Sequence, residues 1–180
     1  TSRYALFSQL YEIDNHLRSY LDYLPDISET LWNKVESFPE DKWKAGHLFA
    51  ASFIAFKANK IRWLYKVINV ALNRSRINQG IISVLGWLPE SSAKASVDSL
   101  LKSKFIRWRR LGMTAAIANH LDCKDFLGNF INDPDAQLNA LALKAIGKLG
   151  YTHLTPILVR NLRSKQEDHR FWAAWSAVLL

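Results

Sequence analysis

Three residues whose types often take part in catalysis, His120, Asp122 and Cys123, occur close together in the sequence. A thiol beside an imidazole can act as a nucleophile, because the imidazole can take the thiol proton. Catalysis would also need a lowered thiol pKa and a third group that orients the imidazole, and closeness in sequence establishes neither. A buried cysteine is the simpler interpretation, so we predict no catalytic residue here.

Other motifs do not change this expectation. No two of the five histidines are four residues apart, and no histidine has a carboxylate at metal-ligand spacing. There is no glycine-rich phosphate loop. The Ser-x-x-Lys pattern occurs twice, at residues 91–94 and 99–102, without the companion motifs of the enzymes that use it. We therefore expect a protein that is not an enzyme, with no cofactor and no metal.

Basic residues are the clearest candidates for binding, because they are unevenly distributed. The chain has 180 residues and a formal net charge of +8. Residues 1–41 contain eight acidic and three basic residues, whereas residues 42–89 contain eight basic residues and no acidic one. The candidate binding residues are Lys57, Lys60, Arg62, Lys66, Arg74, Arg76, Arg107, Arg109 and Arg110. Such a stretch can attract phosphates, acidic lipids or an acidic protein. The alternative is a solvated outer face, partly paired with the acidic N-terminal segment.

Tryptophans lie beside these cations. Trp108 stands within the Arg107–Arg110 run and Trp63 beside Arg62, so an exposed ring could stack on a base while arginine pairs with phosphate. The alternative is that both rings pack in the core, which we predict for both. Trp172 and Trp175 are expected to pack against a further repeat.

The composition indicates a globular protein. Apolar residues make up 49% and aromatic residues 12% of the chain, which excludes a disordered protein. A single cysteine excludes a disulfide framework and fits a reducing compartment. No apolar run is long enough to span a membrane, and no secretion signal opens the chain. We expect a cytoplasmic protein without membrane insertion. Because the chain starts without methionine and ends on apolar residues, we expect a fragment of a longer protein.

Helical periodicity dominates the sequence. Proline is scarce, and no long segment alternates with a period of two. In the first half, the pattern predicts helices at residues 4–24, 28–38, 40–57, 61–72 and 77–88.

Residues 133–150 contain the most informative pattern. We predict that Asp133 caps a helix and that Pro134 occupies its first turn. Leu138, Ala142, Ala145 and Leu149 share one face, and Gly150 suits a left-handed position after the helix end. Small residues recur in register at Gly112 and Ala115 and at Ala174 and Ala177. Partner helices are predicted at 92–101, 124–131 and 155–162, which gives three helix pairs.

This stretch resembles the HEAT-like repeat. The second helix of that repeat typically reads Asp-Pro-Asp, then an aliphatic residue and arginine, then spaced alanines and a final Gly-x-Leu-Gly. Asn139 stands where arginine is usual, Arg109 keeps it in the first copy, and Phe171 is expected there in the third. The Asp–Arg ladder that often links such repeats is therefore incomplete.

The chain also resembles a proteobacterial family of HEAT-like proteins that has no established activity. The resemblance rests on Tyr-Glu-Ile-Asp-Asn-His-Leu at residues 11–17, Ser-Val-Leu-Gly-Trp-Leu at 83–88 and Arg-Phe-Trp-Ala-Ala-Trp-Ser-Ala-Val-Leu-Leu at 170–180. Some members of this family lie near type VI secretion genes. The resemblance thus implies a HEAT-like fold and a role in a bacterial secretion assembly.

Together these observations predict an all-α protein, a right-handed superhelix of about eleven short helices. Residues 1–89 would form an irregular helical region and residues 90–180 about three HEAT-like helix pairs, in one continuous solenoid. A solenoid offers a long surface to another macromolecule, so we expect a non-enzymatic protein-binding scaffold with an acidic partner. The alternative is nucleic-acid binding through a basic concave surface, as in HEAT-like DNA glycosylases. A glycosylase would also need an acidic residue in the groove, and Asp98 is the nearest before Arg107.

Overall fold

The computed structural model describes residues 28–74, 76 and 78–180, together with residues 11, 12, 15, 16 and 19. All regular secondary structure in these residues is helical and no β-strand occurs among them, so the all-α prediction is confirmed. The helices are α1 (Ser28–Ser37), α2 (Ala45–Ala58), α3 (Ile61–Asn73), α4 (Gln79–Leu85), α5 (Glu90–Leu101), α6 (Ile106–Ala118), α7 (Lys124–Phe130), α8 (Ala136–Lys148), α9 (Thr155–Asn161) and α10 (Glu167–Leu179). Short 3-10 helices occupy Glu40–Lys42 and Thr152–Leu154.

Most predicted helices are present with slightly different ends. Most of the helix predicted for residues 4–24 lies outside the described residues, and residues 11, 12, 15, 16 and 19, which are described, are helical. The helix predicted from residue 40 begins instead at Ala45, because Trp43 and Lys44 have extended backbone. The Trp43 ring is buried there, and its Nε1 donates a hydrogen bond to the carbonyl of Phe38 at 3.3 Å. The burial of this one ring therefore separates the 3-10 turn from α2.

The start of α8 differs from the prediction by two residues. Asp135, rather than Asp133, is the N-cap, since its carboxylate accepts a hydrogen bond from the backbone N–H of Leu138 at 2.8 Å. Asp133 instead accepts one from the N–H of Asp135 at 2.9 Å, so Pro134 lies in this turn before the helix. Gly150 has a φ of +74°, as the prediction of a left-handed residue requires.

The second half consists of three consecutive helix pairs, which are α5 with α6, α7 with α8, and α9 with α10. The second helices also contact one another in sequence, α6 with α8 and α8 with α10. Small residues make these approaches possible, because Ala115, Ala142 and Ala145 are completely buried. In α10 the buried small residues are Ala173 and Ser176.

The register predicted for the third copy is therefore wrong by one residue. Ala174 and Ala177 are exposed, and Arg170 rather than Phe171 corresponds to Arg109. Arg109 donates to the carbonyls five and six residues before it, Lys104 and Ser103. Arg170 makes the same pair of contacts with Lys165 and Ser164.

Two groups of buried side chains form the core, and they meet at the middle helices. One group lies around α1 to α4 and includes Leu100 of α5 and Leu111 of α6. The other lies around α6 to α10 and includes Leu85 of α4. Helices α4, α5 and α6 thus contribute to both groups. No helix in the described part of the chain is long and apolar enough to cross a membrane.

Candidate functional site

Helix α3 has one buried face and one polar face. Trp63, Val67 and Val70 are buried, which orients the opposite side of the helix outward. Tyr65, Asn69 and Asn73 follow one another at spacings of four residues, so they share that outer side. Tyr65 is 46% exposed although its ring is large. The amphipathic pattern of α3 therefore presents an aromatic ring and two amides together.

The beginning of α6 faces this side of α3. The Trp108 ring lies 4.9 Å from that of Tyr65 and 6.0 Å from that of Phe105, measured between ring centres. Phe105 is 50% exposed. Between the two helices is a depression with a volume of about 390 Å³. We call it the aromatic–basic groove; it is lined by Tyr65, Asn69, Leu72 and Asn73 of α3 and by Phe105, Ile106, Arg107 and Trp108.

The prediction that Trp108 is a core residue is only partly right. Its ring packs against the core group of the first four helices and also lines the groove. The residue is therefore half-buried rather than fully buried. Trp63, in contrast, is buried as predicted, and it stacks on Trp32 at 4.5 Å.

Arg107 joins the two helices across the groove. Its Nη1 donates a hydrogen bond to Oδ1 of Asn73 at 3.3 Å, and its Nη2 donates to the carbonyl of Leu72. Both acceptors are uncharged, so the positive charge of Arg107 is not neutralised by them. The guanidinium stays exposed at the edge of the groove.

A second depression continues on the other side of Trp108. It shares Tyr65, Phe105 and Trp108 with the groove and is also lined by Lys102 and Lys104. The Lys104 ammonium lies 5.2 Å from the Phe105 ring centre. Asp98 lines this depression as well, but both of its carboxylate oxygens accept hydrogen bonds from Lys94 at 2.6 Å.

Four of the nine candidate cations form ion pairs within the chain. Lys60 pairs with Glu29, and Lys66 lies 3.6 Å from Glu40, so acidic residues of the N-terminal segment do pair with the basic stretch. Arg109 lies 3.5 Å from Asp133, and Arg110 pairs with Asp135. These four side chains link helices to one another.

The other five candidates form no ion pair with a described residue. Arg62 and Arg76 are exposed, and Lys57 lies 5.6 Å from the Phe53 ring centre. Arg74 donates to the backbone carbonyl of Glu40. The fifth is Arg107. Only Arg107 lines the groove, and Arg62 stands three residues before Tyr65 on the same side of α3.

The sequence analysis did not single out Tyr65, Asn69, Asn73 and Phe105, which line the groove. It also did not single out Lys102 and Lys104, which line the second depression. The helical spacing of residues 62, 65, 69 and 73 was a usable signal for the α3 side. No sequence pattern indicated the α6 side of the groove, because the contact between Tyr65 and Trp108 joins residues far apart in the chain.

The His120–Cys123 segment has the geometry of a structural turn. Cys123 is 1% exposed, and burial raises the pKa of its thiol to about 11, so it is protonated at neutral pH. Its backbone N–H donates to the hydroxyl of Tyr151 at 3.0 Å, and that hydroxyl donates to Asp122 at 2.6 Å. Tyr151 thus fixes the turn to the next helix pair, and no activated thiolate results.

Comparison with known proteins gives no match. No family model fits the sequence, and no curated protein or solved structure is significantly similar to it.

Proposed function

We propose that this protein is a non-enzymatic scaffold that binds an acidic protein partner at the aromatic–basic groove. The observation that carries the proposal is the combination of exposed rings and cations that no described carboxylate neutralises. Tyr65, Phe105 and Trp108 supply apolar contact area, and Arg62, Lys102, Lys104 and Arg107 surround it. Aromatic and arginine side chains are the residue types that contribute most to protein interfaces.

The repeated helix pairs support a scaffold role. In this proposal α5 to α10 are three HEAT-like repeats of a solenoid, with α6, α8 and α10 as the second helices. Each repeat contacts its neighbours, which makes an extended surface of the kind that holds other macromolecules. A place in a bacterial secretion assembly is part of the same proposal and rests on the sequence resemblance alone.

Nucleic-acid binding is the second candidate, since exposed rings beside cations also suit stacked bases and phosphates. Asp98 lies beside the groove, where base excision would require an acid. However, its carboxylate is held by Lys94, so it is not available as it stands. The present geometry favours binding over excision.

Fluorescence anisotropy with labelled poly-glutamate and labelled DNA tests both candidates. The test variant carries Arg62→Glu, Lys102→Glu and Lys104→Glu. These changes reverse three exposed cations beside the groove, and none of the three forms an ion pair with a described residue. The control variant carries Lys148→Glu, Arg163→Glu and Lys165→Glu, which make the same charge change elsewhere on the exposed surface.

We expect micromolar binding of poly-glutamate that weakens at least tenfold in the test variant and less than threefold in the control. Equal weakening in both variants would contradict the proposal, because it would indicate net charge rather than a site. Tighter binding of DNA, falling steeply between about 50 and 200 mM salt, would favour the second candidate.

A further inference from the structure

We propose that the aromatic–basic groove binds the main chain of an extended acidic peptide, with Asn69 and Asn73 as the residues that hold its peptide groups. This inference rests on the proposed function and specifies the form in which the acidic partner binds.

The spacing of the two amides fits an extended chain. Asn69 and Asn73 are one helical turn apart, which places them about 6 Å from each other along α3. Equivalent peptide groups of an extended strand repeat every two residues, about 6.6 Å. A primary amide carries both a donor and an acceptor. Each asparagine side chain can therefore donate to the carbonyl of a peptide group or accept from its N–H. Two successive peptide groups on one side of a strand can therefore meet the two side chains.

The hydrogen bonds already present leave these groups available. The side-chain amide of Asn69 is exposed and forms no hydrogen bond with another described residue. Asn73 accepts one from Arg107 through Oδ1, and this contact holds its amide while the NH₂ group keeps its two donors. Asn73 is thus oriented by Arg107 and can donate to a peptide carbonyl.

The other residues of the groove and the cations beside it fit the side chains of such a peptide. In an extended chain, successive side chains point to opposite sides. One set of side chains can lie on the rings of Tyr65 and Trp108, which are apolar and partly exposed. The other set can reach Arg107, Arg62 and Lys104, whose charge favours carboxylates over other groups. The expected ligand therefore alternates acidic and apolar residues.

The experiment uses a fluorescein-labelled peptide of alternating glutamate and leucine as the probe. A second probe has the same sequence with N-methyl groups at alternate peptide bonds, which removes main-chain donors and keeps every side chain. The key variant is Asn69→Ala, which removes one amide with no described partner. The matched control is Asn129→Ala, since Asn129 is an exposed asparagine of α7, far along the chain from the groove.

We expect Asn69→Ala to weaken binding of the first probe about three- to tenfold, as the loss of one or two hydrogen bonds does, and Asn129→Ala to leave it unchanged. N-methylation should weaken binding to the wild-type protein and have little further effect on Asn69→Ala. Equal binding of both probes would overturn the inference.

Failure of this inference differs from failure of the proposed function. If the Arg62, Lys102 and Lys104 reversal weakens binding but Asn69→Ala does not, the groove binds acidic ligands through side chains alone and the inference is wrong. If neither change matters, or if labelled oligothymidylate binds more tightly than the peptide, the proposed function fails as well.

Discussion

At the scale of single residues, two ion pairs link the first and second helix pairs, Arg109 with Asp133 and Arg110 with Asp135. The alignment of the helix pairs shows why equivalent ion pairs do not form between the second and third helix pairs. Arg109 corresponds to Asn139, and Asp133 corresponds to Ser164, so both partners are replaced together. In the other ion pair, Arg110 corresponds to Ala140 and Asp135 corresponds to Gln166, so again both charged partners are replaced. Removing both charges leaves no buried charge unpaired, which would otherwise be costly.

Asp135 has two roles, because it caps α8 and pairs with Arg110. We expect Asp135→Ala to lower the free energy of unfolding by about 2 kcal/mol, since it removes both the cap and the ion pair. Asparagine caps helices as well as aspartate does, so Asp135→Asn should cost only about half as much. Urea denaturation measures both. Asp125→Ala, at an exposed acid in the first turn of α7, is the control and should cost under about 0.5 kcal/mol.

The ion pair also gives Asp135 a pH dependence. The hydrogen bond from Arg110 holds the pKa of Asp135 below its ordinary value. Its contribution to stability is therefore complete above the unfolded pKa of about 3.9 and is lost as the pH falls through the lower folded value. The difference in unfolding free energy between the wild type and Asp135→Asn should shrink below about pH 4. A difference that stays constant into strong acid would show that the charge contributes nothing.

At the scale of the helices, α8 and α10 approach each other closely through small side chains. The hydroxyl of Ser176 donates to the carbonyl of Leu143 at 2.8 Å. A Cβ atom added to Gly147 would lie only 2.5 Å from Cα of Ser176, so glycine is required by the neighbouring backbone. Close packing here takes the place of the ion pairs between the previous two helix pairs.

Gly147→Ala is therefore expected to destabilise the fold by about 2 kcal/mol or more, because the two helices must separate. The control is Gly128→Ala in α7, where an added Cβ would meet no atom within 4 Å. Alanine favours a helix over glycine, so Gly128→Ala should stabilise the protein by about 0.5–1 kcal/mol. Thermal and urea unfolding of both variants give the comparison. If the two substitutions shift stability in the same direction, the backbone of α10 does not exclude a Cβ atom at residue 147.

At the scale of the whole molecule, one apolar face is left open on α10. Ala174 and Ala177 are exposed, and Val178 is 87% exposed. The corresponding residues of α6, Met113 and Ala116, are completely buried by the next helix pair. Those of α8, Leu143 and Ile146, are completely buried as well. The open face of α10 thus has the positions of a helix contact, and no helix in the described part of the chain covers it.

Exposed apolar faces promote association. We expect this protein to self-associate at concentrations of tens of micromolar and Ala174→Glu with Val178→Glu to reduce that association. Unfolding free energy should change by less than about 0.5 kcal/mol, because both sites are exposed. Sedimentation velocity measures the association, and Val159→Glu with Leu162→Glu is the control at exposed positions on and just after α9. Equal behaviour of both double variants would show that the α10 face is not the cause.

The sequence by itself determined the helices and much of their packing faces. Periodicity predicted nearly every described helix, and the small residues of α6 and α8 marked the faces that are buried. These features depend on residues within one or two turns of each other, so local patterns carry them. The wrong choice of Asp133 rather than Asp135 as the N-cap of α8 is also a local error. Either carboxylate could cap the helix, and only the backbone conformation decides which one does.

The tertiary structure alone decided which cations are available and where the rings meet. Lys60 and Lys66 looked equivalent to Arg62 in the sequence, but only packing brought Glu29 and Glu40 to them. The groove exists because α3 and the start of α6 lie side by side, which joins Tyr65 to Trp108 across more than forty residues. Contacts of that separation depend on how helices pack, and no local pattern specifies them.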